Sequence, residues 1–245
     1  MKMGLLKKFG LAIVVVAMIG VNAVSAVERE DFHFRLYGWM ATILLMVAAL
    51  ALIGHMLTED WRGVLVDKRN VMSLSRLQMV IWTVLVVSAI LSAGIANAVM
   101  NTANPLDLGI PEQIWAALGI SGTSFIAAPM ILKTQDGAVA QNGPRVPDAP
   151  PPWRWADVFQ GDVNANQDKI DLSKIQQFFF TIVTVSTYAI ALGFIFATAD
   201  KVTFPPIDSG FITLLGISNA AYLLHKATPV NTNPLPPGAG GPPPP

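Results

Sequence analysis

The sequence predicts an all-α integral membrane protein with a cleavable signal peptide and five transmembrane helices, the last four forming a parallel tandem repeat of a helix pair. Three observations lead there. The 245 residues are 53% hydrophobic and 13% charged, with a mean hydropathy of +0.51, whereas soluble domains carry about 25% charged residues. The chain also repeats itself. Ser73-Leu-Ser-Arg-Leu-Gln-Met-Val-Ile-Trp-Thr83 returns as Asp171-Leu-Ser-Lys-Ile-Gln-Gln-Phe-Phe-Phe-Thr181, at an offset of 98, and Leu118-Gly-Ile-Ser121 returns as Leu215-Gly-Ile-Ser218, at an offset of 97. Finally, Lys and Arg gather in alternate loops.

Residues 1–26 read as the signal peptide. Lys2, Lys7 and Lys8 form a basic start, Leu11 to Val21 an apolar stretch, and Val24-Ser25-Ala26 a small-residue cleavage site. The mature chain then begins at Val27; an uncleaved signal anchor is the alternative, and it leaves Val27 on the same side of the membrane. Residues 27–57 hold the first transmembrane helix, Leu36 to Leu57, which contains no Asp, Glu, Lys or Arg. It is long enough for a bilayer core, which takes about 20 apolar residues.

Repeat unit 1 occupies 58–133, with spans at Leu77 to Met100 and Ile114 to Leu132; Pro129 is expected to kink the latter. Residues 134–156 form a proline-rich cytoplasmic linker, because proline fixes its own backbone and donates no hydrogen bond. Repeat unit 2 occupies 157–226, with spans at Ile175 to Thr198 and Phe211 to Leu224, the last one short. Residues 227–245, which contain eight prolines from Pro229 onward, are expected to be a disordered tail.

Charge sets the orientation. Loop 58–76 carries Arg62, Lys68, Arg69 and Arg76, and loop 133–174 carries Lys133, Arg145, Arg154, Lys169 and Lys174. Loop 101–113 has neither Lys nor Arg, and 199–210 has only Lys201. The positive-inside rule therefore puts the mature N-terminus in the periplasm and the C-terminus in the cytoplasm. Both copies of the pair enter from one side, as in repeats related by an axis along the membrane normal.

The repeated helix starts offer the main candidate residues. Ser73 and Asp171 suit N-caps. Ser75, Gln78 and Trp82 share one helix face by their spacing, and Ser173, Gln176 and Phe180 are the aligned set. Such faces serve helix packing through polar contacts or line a polar constriction. Asp162, Asn164, Asn166 and Asp168 alternate like a calcium loop, but Gln167 and Ser173 stand where an EF-hand has glycine and a bidentate acid. A polar loop leading to the Asp171 cap explains the same residues. Trp61, Trp153 and Trp155 read as interfacial anchors.

Several chemistries lack their residues. There is no cysteine, and His33, His55 and His225 have no metal-ligand spacing. No hydrolase, nucleotide or kinase motif appears. The predicted spans hold no acidic or basic residue of the kind that proton- or ion-coupled pumps use. A net charge of zero gives no reason to expect nucleic acid. No cofactor is expected; the expected partners are the lipid bilayer and other proteins or further copies of the chain.

The paired Leu-Ser-[Arg/Lys]-x-Gln and Leu-Gly-Ile-Ser motifs resemble those of an uncharacterised family of bacterial multi-span inner-membrane proteins, over about residues 58–226. That resemblance implies a bacterial inner membrane and brings no catalytic residues. The sequence thus points to a non-enzymatic scaffold or assembly subunit of a membrane complex. A passive channel or transport component formed by homo-oligomerisation is the alternative.

Overall fold

A computed structural model describes residues 2–27, 33–134, 154–163 and 166–227. Among them lie six helices: α1 (Lys2–Val27), α2 (His33–Thr58), α3 (Leu74–Val99), α4 (Glu112–Thr134), α5 (Leu172–Thr198) and α6 (Ser209–Ala227). Short 3-10 helices occupy Gly63–Leu65 and Trp155–Val158. The described residues contain no strand, only the isolated bridges Val66–Met72 and Gln160–Ile170.

Five helices, α1 to α5, are long and apolar enough to cross a membrane, which makes this a multi-pass membrane protein. The number five matches the expectation, but the membership differs. The expected set left out the N-terminal helix and included the last one. Here α1 qualifies, and the 19-residue α6 does not, because Ser218, Asn219, His225 and Lys226 lower its hydropathy. Outward faces of the long helices carry Leu44, Val87, Met130, Ile190 and Phe194, as a lipid solvent requires. Within lipid the helical backbone bonds satisfy themselves.

The starts of α3 and α5 are built alike. Each follows a 3-10 helix and a one-rung bridge, and each N-cap amide bonds back to that turn: Ser73 N to Leu65 O, and Asp171 N to Phe159 O, both at 2.9 Å. The caps themselves differ. Asp171 accepts from the amides of Ser173 and Lys174, whereas the Ser73 side chain makes no capping bond. The cap position explains why α3 begins at Leu74, three residues before the predicted span. Asn101, at φ 56, supplies the left-handed residue just past the end of α3. The helix α4 continues through Pro129.

Helices α3 and α4 pack together, as do α5 and α6, and the two pairs meet through α3 against α5 and α4 against α6. Their shared core holds Trp82, Leu85, Ala89, Leu192, Phe196 and Leu215. The helix α2 closes one side: Trp39 stacks on Phe196 at 4.9 Å and its Nε1 donates to Ser88 Oγ at 3.0 Å. One side chain thereby fixes α2 to both long helices. The alternating chain direction collects loops 59–73 and 154–171 and the C-terminal end of α6 at one end of the bundle. Loops 100–111 and 199–208 meet at the other.

Candidate functional site

Two polar assemblies stand out in this apolar bundle: an amide layer between the four helices α3 to α6, and a charged cluster at the end where α3 and α5 begin. The amide layer comes from residues placed one to three turns inside the helices. Gln177 Nε2 donates to Gln78 Oε1 at 3.0 Å and to Asn219 Oδ1 at 2.6 Å. Gln78 Nε2 donates to Thr181 Oγ1 at 2.5 Å, and Thr181 in turn donates to Gln177 O at 2.9 Å. The Ser124 hydroxyl donates to Asn219 Oδ1, and Asn219 Nδ2 donates to Leu215 O at 2.8 Å. A single network therefore touches all four helices. It is deeply buried: Gln78 is 2% exposed and Gln177 0%. Ser75 Oγ, Trp82 Nε1, Gln177 Oε1 and Ser218 Oγ, buried near it in sequence, have no hydrogen-bond partner among the described residues.

The sequence placed Ser75, Gln78 and Trp82 on one face, and all three are buried there. The aligned set on α5 lands elsewhere. Ser173 is half-buried and donates to its neighbour Asp171, Phe180 is half-buried against the core, and Gln176 is exposed. The inward residues are each one position later: Lys174, Gln177 and Thr181. One residue turns a helix by about 100°, so α5 presents the next stripe over from the one the sequence match suggests. The polar face continues as Thr184 and Tyr188, at the three- and four-residue spacings of a single helix side.

The charged cluster explains that rotation. Asp162, in the longer second loop, receives Lys226 at 2.9 Å and Lys174 at 3.1 Å on one oxygen, and Arg69 at 3.1 Å on the other. Arg69 also pairs with Asp67 at 2.7 Å, so the first loop is bound to the second. Lys174 Nζ further donates to Gln160 O at 2.6 Å, and Lys226 Nζ to Tyr222 Oη at 2.6 Å. Holding Lys174 inward fixes Gln177 one turn further along the same stripe. The matching residue in the first copy, Arg76, pairs with no acid among the described residues; its guanidinium lies over the Phe125 ring, 5.4 Å from the centroid. Burial pushes the Asp162 carboxyl upward, but the charges of Lys226, Lys174 and Arg69 outweigh it and hold the group well below the ordinary carboxylate value.

The three described residues of the weak calcium-loop candidate have other surroundings. The Asp162 oxygens face the cations just described, Asn166 Oδ1 accepts from Val163 N at 3.2 Å, Asp168 is exposed, and Asn164 lies outside the described residues. Asn166 also fills the space beside Gly161, where an added Cβ would lie 2.0 Å from its Oδ1. Among the described residues no group of three or more His, Cys, Asp or Glu is placed to hold a metal. Trp61 stacks on His55 at 4.5 Å and is exposed, as is Trp155, while Trp153 lies outside the described residues.

At the opposite end an asparagine that the sequence reading passed over performs a backbone role. Asn97 Nδ2 donates to Val202 O, and Val202 N donates to Asn97 Oδ1, both at 2.9 Å. This closed pair joins the end of α3 to the loop after α5, and Phe204 N adds a bond to Leu108 O at 2.8 Å. Arg35, in the first turn of α2, donates to Ala199 O at 2.6 Å and so bonds the end of α5. These groups hold elements together; none of them is arranged as a nucleophile with its base. No protein-family model, no curated protein and no solved structure matches the chain.

Proposed function

We propose that this protein is a non-enzymatic scaffold or assembly subunit of a membrane complex in a bacterial inner membrane. The observation that carries the reading is the amide layer, in which Gln78, Gln177, Asn219, Thr181 and Ser124 bond to one another. Amides that face one another across helix contacts act as interhelical ties; amides that line a conduction path must face an open lumen. The duplicated motifs support the same reading, since two helix pairs with like starts make one rigid body when their polar faces meet. Lys and Arg in loops 58–76 and 133–174 support a cytoplasmic position for the charged cluster and the C-terminal tail. Most of the proline-rich linker 134–156 and tail 227–245 lies outside the described residues; their composition supports a partner-binding role, since a polyproline segment suits an aromatic groove.

Two experiments test this. Detergent extracts are passed over the tagged protein with and without residues 229–245; loss of specific co-purifying proteins with the tail removed supports docking there, and identical sets remove the tail from the reading. Purified protein in liposomes is assayed for ion flux. No flux is expected; a flux abolished by Gln78→Leu with Gln177→Leu would establish the competing reading, a channel assembled from several copies.

A further inference from the structure

We infer that α1 stays on the mature protein as one of the six helices of the bundle, seated in a notch on α2, instead of being removed as a signal peptide. The inference starts from a polar residue in an apolar helix. Asn22 lies within a stretch apolar enough to cross a membrane, where an unbonded amide costs several kcal/mol of order. It is 3% exposed, and its Nδ2 donates to Thr42 Oγ1 at 2.5 Å and to Met18 O at 2.7 Å. Thr42 is fully buried, and its hydroxyl donates to Gly38 O at 2.9 Å. An export signal needs only an apolar stretch and has no use for a side chain whose amide matches a hydroxyl twenty residues later.

Shape agrees with polarity. An added Cβ at Gly38 would lie 2.1 Å from Ser25 Oγ and 2.8 Å from Ser25 Cβ, so only glycine admits the crossing. Gly38 and Thr42 stand four apart on α2, as small residues do where two membrane helices approach closely. The cleavage site itself is folded away. Val24-Ser25-Ala26 lies within the continuous helix α1, and Ala26, 1% exposed, belongs to the same core as Trp39. Removing α1 would open that core and expose the Gly38 notch. With α1 retained, the bundle keeps all six helices, and the basic start of the sequence, Lys2, Lys7 and Lys8, falls on the side that the positive-inside rule assigns to the other Lys- and Arg-rich segments.

The test uses the full chain carrying a C-terminal tag, isolated from membranes. Because the chain has no cysteine, Asn22→Cys with Thr42→Cys supplies a unique thiol pair. The intact mass is expected to include residues 1–26, and mild oxidation is expected to abolish maleimide labelling of both thiols. A mass beginning at Val27 overturns the inference. So does a full-length chain whose two thiols stay fully reactive after oxidation, since α1 would then be uncleaved but unseated. The unsubstituted chain gives the mass result even where the double variant folds poorly.

Discussion

Gln177 donates to Gln78 Oε1 at 3.0 Å, although Gln176, not Gln177, occupies the matching place in the repeated motif. The inward faces of α3 and α5 are related by an offset of 99, one more than the sequence match of those helices: Ser75, Gln78 and Trp82 face inward on α3, and Lys174, Gln177 and Thr181 on α5. Neighbouring glutamines should therefore behave differently. Gln177→Leu leaves Gln78 Oε1 and Asn219 Oδ1 without one donor each and is expected to destabilise the fold by about 1–2 kcal/mol. Gln176→Leu, on the exposed side, is expected to change stability by less than about 0.5 kcal/mol. Thermal unfolding in detergent compares them, and equal losses would mean that the inward stripe is misassigned.

The Asp162 cluster gives a pH dependence whose sign follows from its charges. The folded carboxyl is held below its ordinary value by Lys226, Lys174 and Arg69 against the upward push of burial. Its contribution is therefore complete above the unfolded value of about 3.9 and is lost as pH falls through the folded value. Asp162→Asn leaves buried cations without their acid and is expected to cost about 3 kcal/mol at neutral pH. The gap between wild type and variant should stay level from about pH 5 to about pH 8 and narrow below about pH 4. Melting temperatures across that range check it; a gap that widens in acid would contradict the assignment of the charge.

Asn97 substitutes for a backbone strand at the other end of the bundle, exchanging two bonds with Val202. Asn97→Leu keeps the size but leaves the buried Val202 N–H and C=O unpaired, an expected loss of about 2 kcal/mol. The loop 199–208 should also loosen. Faster amide exchange at Val202 and Phe204 in the variant is the readout; unchanged exchange would show that Asn97 does not hold that loop.

The helices, their alternation and the inward face of α3 were legible because each rests on a local pattern: apolar length, cap chemistry and three- to four-residue spacing. The rotation of α5 was not, since it depends on an acid ten or more residues upstream pulling Lys174 inward. The sequence match compared types of residue and could not see which side a helix turns. A signal was nonetheless present. Lys174, Gln177, Thr181, Thr184 and Tyr188 form one polar stripe in an otherwise apolar helix, and that stripe does not include Gln176. The oxygen-bearing neighbours of Asp162 suggest a weak calcium loop or a polar lead into the Asp171 cap, and neither pattern shows its partners, which are cations from three separate parts of the chain. Asn219 and Asn97 each stand as a lone amide within an apolar segment, where neither repeat nor spacing marks a partner.

The most direct test of the amide layer as a tie between the two helix pairs is a double-mutant cycle on Gln78→Leu and Gln177→Leu. Unfolding free energies of wild type, both single variants and the double variant are measured in the same detergent or bicelle. A favourable coupling of about 0.5–1.5 kcal/mol is expected, the range found for hydrogen bonds between membrane helices. Additive losses, with no coupling, would contradict the claim that these residues hold α3 and α5 together.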